Sequence, residues 1–466
     1  MNPESAENFD FKNAIQYCGN STRFIIMGIS VFALLFVMGN SLALNFTVLC
    51  MYKEGHGLNS SNPELLYSVS DRSWLFSAIA IGNIIGAFPL TWCTNTILAY
   101  GLISGMSTLL LPLFTSLGFI PVFLIRIFQG FSVAISFTSM GAIVSAWSTL
   151  SGSGTFISIL SAHIQMSAIL VMPTSGALCS SSLGWPFVYY IFGCLTLFAF
   201  CLFFFFYRDS PSNHKNVSEK EIRKISKGRL TVSDNDRSAV PYKAILTDIP
   251  VLGIAIICFG GCLGFQILFQ FGPIYLNEIL GFSLQSTGFA AALPYVLATV
   301  VKFFAGPFSN MFVCLNEKGK IVLFATISQF PMCICFILMA TLPSSMVWLI
   351  QIAFTLVNSF AGLAAVGIAK SVQLIAQHHA HFIMTVMGFI NSVVVLILPF
   401  FVKLMAPDNS PDQWARIFYI ISGVIFTALM TFNLTCKAEP RQWAYSKNIV
   451  TNRANLNNTQ EQSNSG

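Results

Sequence analysis

Read for hydrophobic and polar positions alone, the chain alternates long apolar runs with short polar gaps. Twelve runs can be drawn, at residues 24–52, 73–92, 96–116, 119–147, 154–178, 184–207, 249–277, 286–313, 319–341, 345–370, 382–405 and 414–436. A helix crosses a bilayer with ~20 mostly apolar residues, and each run is near or above that length. In hydrocarbon the backbone must bond within its own segment, so runs of this kind predict helices. Six runs precede the one long polar gap, 208–248, and six follow it. The pattern predicts an all-α membrane protein with 12 transmembrane helices in two six-helix bundles. The expected divisions are a tail at 1–22, a bundle at 23–207, a central loop at 208–248, a second bundle at 249–436 and a tail at 437–466. Residues 1–22 carry Glu4, Glu7, Asp10 and Lys12 with no apolar core, unlike a cleavable signal peptide. The final stretch, TNRANLNNTQEQSNSG, is polar and is expected to be disordered.

Composition agrees. Of 466 residues 55% are hydrophobic and 9% charged, where a soluble domain has about 25% charged. The net charge of +6 therefore reports topology and not nucleic-acid binding. The two tails, Arg23 beside the first, the 208–248 loop and Lys318 and Lys320 hold 17 of the 24 Lys and Arg, and the opposite side holds 4. Positive residues stay cytosolic, so both termini are expected inside. The loop 53–72 then faces outward and exposes the sequon Asn59-Ser60-Ser61 to glycosylation. Most of the 12 cysteines, Cys50, Cys194, Cys201, Cys258, Cys262, Cys333 and Cys335 among them, sit in apolar runs. No disulfide framework and no metal-spaced CxxC pair is expected from them.

The fourth run offers the sharpest chemistry. Arg126 lies inside it, followed at helical spacing by Gln129, Ser132, Ser136 and Ser139. A charge at membrane depth costs roughly 3 kcal/mol on insertion scales, so it turns toward a bundle interior or a wet cavity, or snorkels to an interface. A fixed guanidinium can bind carboxylate or phosphate through two parallel hydrogen bonds. Asn45 and Gln129 could add neutral hydrogen bonds, or serve only as links between helices. His163 in the fifth run is either a proton relay for coupling or a satisfied interhelical histidine. Gln266 and Gln270 share a face of the seventh run, and Thr355, Asn358, Ser359 and Gly362 form a stripe on the tenth. Both stripes suit a cavity wall or ordinary packing. Lys302 in the eighth run is either a second cation or a snorkelling side chain. The run Gln377-His378-His379-Ala380-His381 reads as a solvated loop, because adjacent histidines point apart and no carboxylate or cysteine is near.

Short strings in order along residues 126–444 resemble the anion:cation symporter family of the major facilitator superfamily, which includes sialin, the vesicular glutamate transporters and the type I sodium–phosphate cotransporters. They are Arg126-Ile127-Phe128-Gln129-Gly130, Met172-Pro173-Thr174-Ser175-Gly176, Gly184-Trp185 with Tyr190-Ile191-Phe192-Gly193, and Val240-Pro241-Tyr242-Lys243-Ala244-Ile245-Leu246-Thr247. Further on come Gly272-Pro273-Ile274-Tyr275, Gly281-Phe282, Ala291-Ala292-Leu293-Pro294-Tyr295 and Glu439-Pro440-Arg441-Gln442-Trp443. The departures are as informative. Ala43 stands where such proteins carry an Arg two residues before Asn45, and Val133 where they carry a Glu. Thr91-Trp92-Cys93-Thr94-Asn95-Thr96 replaces a charged loop motif, and the acidic residue after the eighth segment is missing from Ala305–Asn310.

The resemblance implies a major facilitator fold and secondary transport of a small organic or inorganic anion by alternating access. It also implies coupling to Na+ or H+ and residence in a plasma or endolysosomal membrane. Substrate contacts are expected at Arg126, Asn45, Gln129, Gln270 and Asn358, and coupling at His163 or Lys302. The lost charges keep open a passive anion facilitator, or a sensor or scaffold that retains the fold. No nucleotide loop or nucleophile–base set is present, so neither an enzyme nor a cofactor is expected.

Overall fold

The computed structural model describes residues 21–53, 64–87, 94–149, 153–226, 241–311, 315–376 and 379–444. Nine helices in it are long and apolar enough to cross a membrane, and Phe119–Val133, Val347–Ala361 and Gly367–Ala376 are shorter apolar ones. The expected spans are present with shifted limits. The first, α1, runs Thr22–Thr47 and the second, α2, runs Val69–Ala87. The third, α3, is Thr94–Ser116.

The fourth and fifth spans are interrupted, where the sequence predicts continuous helices. α4 (Phe119–Val133) passes into α5 (Ile135–Trp147) at Ala134, whose N–H reaches Phe131 O at 3.3 Å. α6 (Ser153–Ser161) passes into α7 (His163–Cys179) at Ala162. The sixth span, α8, is Pro186–Phe206, and a short helix α9, Glu219–Ser226, follows within the central loop. A second short helix, α10, is Tyr242–Leu246. The next spans are α11 (Ile249–Ile274), α12 (Leu284–Met311) and α13 (Glu317–Thr341). The tenth is broken by a π turn at Ala365–Ala369 between α14 (Val347–Ala361) and α15 (Lys370–Ala376). The last two are α16 (Ala380–Met405) and α17 (Pro411–Thr435).

The chain forms two compact units, residues 1–64 with 78–230 and residues 65–77 with 231–466. In unit 1, α2 and α4 cross with their backbones touching. A Cβ on Gly82 would fall 2.0 Å from Ile127 O, and one on Gly130 would fall 2.1 Å from Ile79 O. Lipid gives helices no hydrophobic reason to associate, so such close backbone contact supplies much of the attraction. The central loop docks onto the same unit. Glu221 is 1% exposed and accepts from the backbone N–H of Thr22 (3.3 Å) and of Arg23 (3.0 Å). Those are free donors at the start of α1, whose own N-cap residue Ser21 supplies no side-chain bond. The carboxylate also meets the positive end of the helix dipole. Thr22 Oγ1 donates to Asn216 O at 3.0 Å, and Trp147 Nε1 to Arg208 O at 3.0 Å.

Unit 2 closes its corresponding end in a related way. Asp248, just before α11, accepts from Arg441 Nε (2.8 Å), Arg441 Nη2 (2.9 Å) and Trp443 Nε1 (2.8 Å). Around it Ile245, Val251, Ile254, Ile375 and Phe432 form an apolar core. At the other end Arg72 donates to Glu278 Oε1 at 2.7 Å and to Tyr67 O at 3.2 Å, and Asn409 Nδ2 donates to Glu278 Oε2 at 2.9 Å. Trp74 packs on Phe400 and Phe76 on Phe271.

Two expectations are corrected. Cys50 and Cys179 form a disulfide between the ends of the first and fifth spans. Its partners are 129 residues apart, so local spacing carries no sign of it. His379 is buried, its ring centroid 6.3 Å from that of Trp443, so the histidine run is not wholly a solvated loop. His381 is exposed, and residues 377–378 lie outside the described residues, as does the sequon at Asn59.

Replacing Glu221 by Ala orphans two N–H groups at the start of α1. The expected loss is about 1–3 kcal/mol of stability, read as a lower thermal-unfolding midpoint of the purified protein in detergent. Cys50→Ser releases a long loop and is expected to lower stability by about 2–5 kcal/mol in the same assay under oxidising conditions. Both variants unfolding like the parent protein would show these links to be idle.

Candidate functional site

Arg126 is 0% exposed. It sits on α4, one turn before Gly130, where the glycine contact presses α4 against α2. A side chain that snorkels to an interface would be exposed, and this one is enclosed by protein. One guanidinium nitrogen donates to Ser41 O and to Gln129 Oε1, both at 2.9 Å. Gln129 Nε2 in turn donates to Thr108 Oγ1 at 3.0 Å, and Thr108 Oγ1 donates to Ser104 O at 2.8 Å. From α1, Asn40 Nδ2 donates to Ser104 Oγ (2.9 Å) and Thr196 Oγ1 (2.8 Å). α1, α3, α4 and α8 are thus joined by one run of buried polar groups.

Sequence reasoning places Arg126 and Gln129 correctly beside each other and misses the rest. Asn40, Ser104, Thr108 and Thr196 are all 0% exposed. The available signal was Asn40, an amide with no polar neighbour before Ser41 in an apolar run. Ser132, Ser136 and Ser139 are buried too, and Ser132 and Ser139 bond back to carbonyls of their own helix at 3.1 and 3.4 Å. Asn45 is 6% exposed, one turn along α1 from the Ser41 carbonyl that Arg126 holds, and so on the same helix face.

His163 stands where α7 begins, 1% exposed, with Nδ1 2.7 Å from Leu160 O. A carbonyl only accepts, so Nδ1 carries a proton in this contact. In unit 2 the two glutamines of the seventh span part company. Gln266 Nε2 donates to Asn391 Oδ1 at 2.9 Å, which is a link between helices. Gln270 is 4% exposed and its amide finds no partner among the described residues. Asn358 on α14 is 1% exposed with both amide atoms likewise unmatched. Its neighbours Thr355 and Ser359 bond back to Gln351 O and Thr355 O, each at 2.8 Å. Lys302 is half-buried on α12.

The charges have one sign. Every Asp and Glu near a span lies at its end, as do Asp71, Glu278, Glu317 and Asp412, and none lies within. Lys370, at a helix start, is paired with Glu317 at 2.8 Å. Arg126 and Lys302 thus have no carboxylate within the spans to neutralise them. Ser41 O and Gln129 Oε1, which accept from Arg126, are neutral oxygens. A negative solute would be favoured there by Coulomb attraction strengthened in a low-dielectric interior.

Set beside known proteins, residues 23–399 match the profile of the Major Facilitator Superfamily. The chain belongs to the major facilitator superfamily. It is similar to sialin of Homo sapiens, 24% identical over 396 residues, which cover 83% of this chain and 79% of sialin. It is also similar to sodium-dependent phosphate transport protein 1 of Mus musculus, 26% identical over 439 residues, 90% of this chain and 93% of the relative. These are members of the group that the sequence strings resemble. Among solved structures, the D-xylose-proton symporter shares the fold at a TM-score of 0.64 and 15% identity, covering 89% of this chain and 98% of that one. A bacterial homologue of the human lysosomal transporter Spinster does so at 0.61 and 13%, covering 88% and 96%. Membership makes the chain a multi-pass membrane protein of the secondary-transporter type and not an enzyme.

Replacing Gln129 by Leu deprives Arg126 of one acceptor and Thr108 of its donor. A loss of about 2 kcal/mol is expected, seen as a lower unfolding midpoint. The double change Arg126→Met with Gln129→Leu is expected to recover part of it, because an apolar pair needs no partners. Equal losses in both variants would show that the bonds contribute little.

Proposed function

We propose that the protein moves a small organic or inorganic anion across its membrane by alternating access, with Arg126 as the anchoring charge. The observation that carries this reading is a fully buried guanidinium in a chain whose spans hold no carboxylate. A buried ion pair would have lowered the cost of that charge, and a negative substrate offers the same relief only while it is bound. Asn45 and Gln129 belong to the same reading in unit 1, and Gln270 and Asn358 in unit 2. The names of the relatives agree in sign, since phosphate is anionic.

Coupling to Na+ or H+ would have to use groups other than membrane carboxylates. For protons the candidates are His163 and Lys302. The lack of Asp and Glu in the spans also favours a second reading, passive movement of the anion down its own gradient. Both termini are read as cytosolic, and the domain limits follow the tails, bundles and central loop of the hydropathy pattern. Two features support that orientation. Lys and Arg collect on the side of the tails. The disulfide joins the far ends of the first and fifth spans, which then face an oxidising space. The membrane is a plasma or endolysosomal one, and Asn59 would face outward there.

Reconstitution in proteoliposomes tests the reading. Labelled gluconate, glucuronate and inorganic phosphate are offered under imposed Na+ and H+ gradients and under none. Accumulation against a gradient supports coupled transport, and equilibration without accumulation supports the passive reading. Arg126→Ala is expected to abolish flux in protein that still elutes as a folded species. Flux that survives this change would remove Arg126 from the site, and no flux of any anion in the parent protein would overturn transport altogether.

A further inference from the structure

The start of the central loop, residues 208–226, is fastened to unit 1 at several points. Glu221 accepts from the N–H groups that open α1, Thr22 Oγ1 donates to Asn216 O, and Trp147 Nε1 donates to Arg208 O. His214 Nε2 stands 3.0 Å from Phe206 O, and the Asn216 N–H donates to His214 Nδ1 at 3.2 Å. The His214 ring meets that of Trp147 edge-on. Positive-inside topology requires only that a loop carry basic residues. It does not require that the loop be held in one arrangement.

That arrangement sorts the charges by sign. The segment holds five basic residues, Arg208, Lys215, Lys220, Arg223 and Lys224, and all five are exposed. Of its three acidic residues, Glu221 is buried against the start of α1, Glu219 pairs with Arg223 at 3.3 Å, and Asp209 is exposed. On α9 the buried Glu221 and Ile225 are four residues apart and so share the inner face. Lys220 and Lys224 are likewise four apart, on an outer face. Arg208 turns back to the carbonyls of Phe204 (3.1 Å) and Tyr207 (2.6 Å). Lys215, Lys220 and Lys224 make no ion pair among the described residues.

The surface lies where the spans leave the lipid. It begins at the end of α8, where Phe204 and Phe205 are exposed, and reaches the start of α1, where Phe24 is exposed. In a spanning protein such outward phenylalanines meet acyl chains, so the lysines beyond them stand at headgroup height. We infer that the docked segment 208–226 is a binding surface for anionic phospholipid headgroups, with Lys215, Lys220 and Lys224 as the contacts. On the orientation read above the leaflet is the cytosolic one, whose anionic lipids attract basic clusters beside spans. A lysine stem lies along apolar surface while its ammonium reaches a phosphate. Burial of Glu221 removes a carboxylate that would repel that phosphate. Lipid is the occupant because the exposed phenylalanines continue the patch into hydrocarbon, which an acidic soluble protein would not match. The inference is independent of what the protein transports.

Full-length protein in a neutral detergent is titrated with fluorescent phosphatidylserine and, separately, with fluorescent phosphatidylcholine, and binding is read as anisotropy. Phosphatidylserine is expected to bind more tightly, and the difference to shrink with added salt. The triple change Lys215→Gln, Lys220→Gln and Lys224→Gln should weaken phosphatidylserine binding roughly tenfold or more, with phosphatidylcholine binding unchanged. All three side chains are exposed, so the unfolding midpoint should hold. Lys243→Gln, Lys318→Gln and Lys437→Gln together, which alter three exposed lysines of unit 2, should have little effect. An equal loss in the two triple variants reduces the preference to general loop charge and overturns the surface. So does phosphatidylserine that binds no more tightly than phosphatidylcholine. Glycerophosphoserine, the headgroup without chains, competing as well as the lipid would mark a free-phosphate site. Polyglutamate bound in place of phosphatidylserine would mark a docking face for an acidic protein. Either result overturns the lipid assignment.

Discussion

A charged guanidinium fully enclosed among helices sets the terms for the first unit. Arg126 is 0% exposed and hydrogen-bonded to Ser41 O and Gln129 Oε1, in spans that hold no carboxylate. Desolvating such a charge is expensive, and hydrogen bonds recover only part of the cost. The protein responds by extending the polar contact outward. Gln129 passes it to Thr108, and Asn40 ties Ser104 to Thr196. Four helices are thereby committed to one register around the charge. Moving any of them a few ångströms would strand a buried donor.

The same scarcity of driving force governs packing elsewhere. Helices in lipid gain little by hiding apolar surface from one another. Backbone contact at Gly82 and Gly130 is one answer, and Gly260 against Ala428 in unit 2 is another. Helix ends leave the hydrocarbon and need a different device. Each half uses an acidic residue near the start of its first span: Glu221 accepts N–H bonds from Thr22 and Arg23, and Asp248 holds Arg441 and Trp443. The Asp248 carboxylate raises the Arg441 guanidinium above its ordinary range.

The fold was legible because bilayer thickness imposes a length on every span, and length survives in composition whatever the packing. The helices broken at Ala134 and Ala162 were not legible, since both breaks fall inside apolar runs with no Pro or Gly at the break. Arg126 and Gln129 could be paired because they stand three positions apart on one helix. The Asn40, Ser104, Thr108 and Thr196 contacts join distant parts of the chain, and small hydroxyl residues are common in spans for unrelated reasons. Cys50–Cys179 was invisible for the same cause, each cysteine looking like apolar filler in its own segment. Gln266 and Gln270 show the limit most clearly. They share a face by spacing, yet one is matched by Asn391 and the other is unmatched.

That contrast separates two kinds of buried polar group. A matched amide such as Gln266 must give up a bond before it can take a ligand, so its net contribution to binding is small. Gln270 and Asn358 have no such bond among the described residues. Arg126 belongs to a third kind. Its bonds to Ser41 O and Gln129 Oε1 are to neutral oxygens, which satisfy donors without themselves supplying an opposite charge. A solute shifts a conformational equilibrium only through affinity that differs between states. Groups that are costly in the empty protein and satisfied in the occupied one supply such a difference. On the proposed reading, the buried guanidinium of Arg126 is such a group.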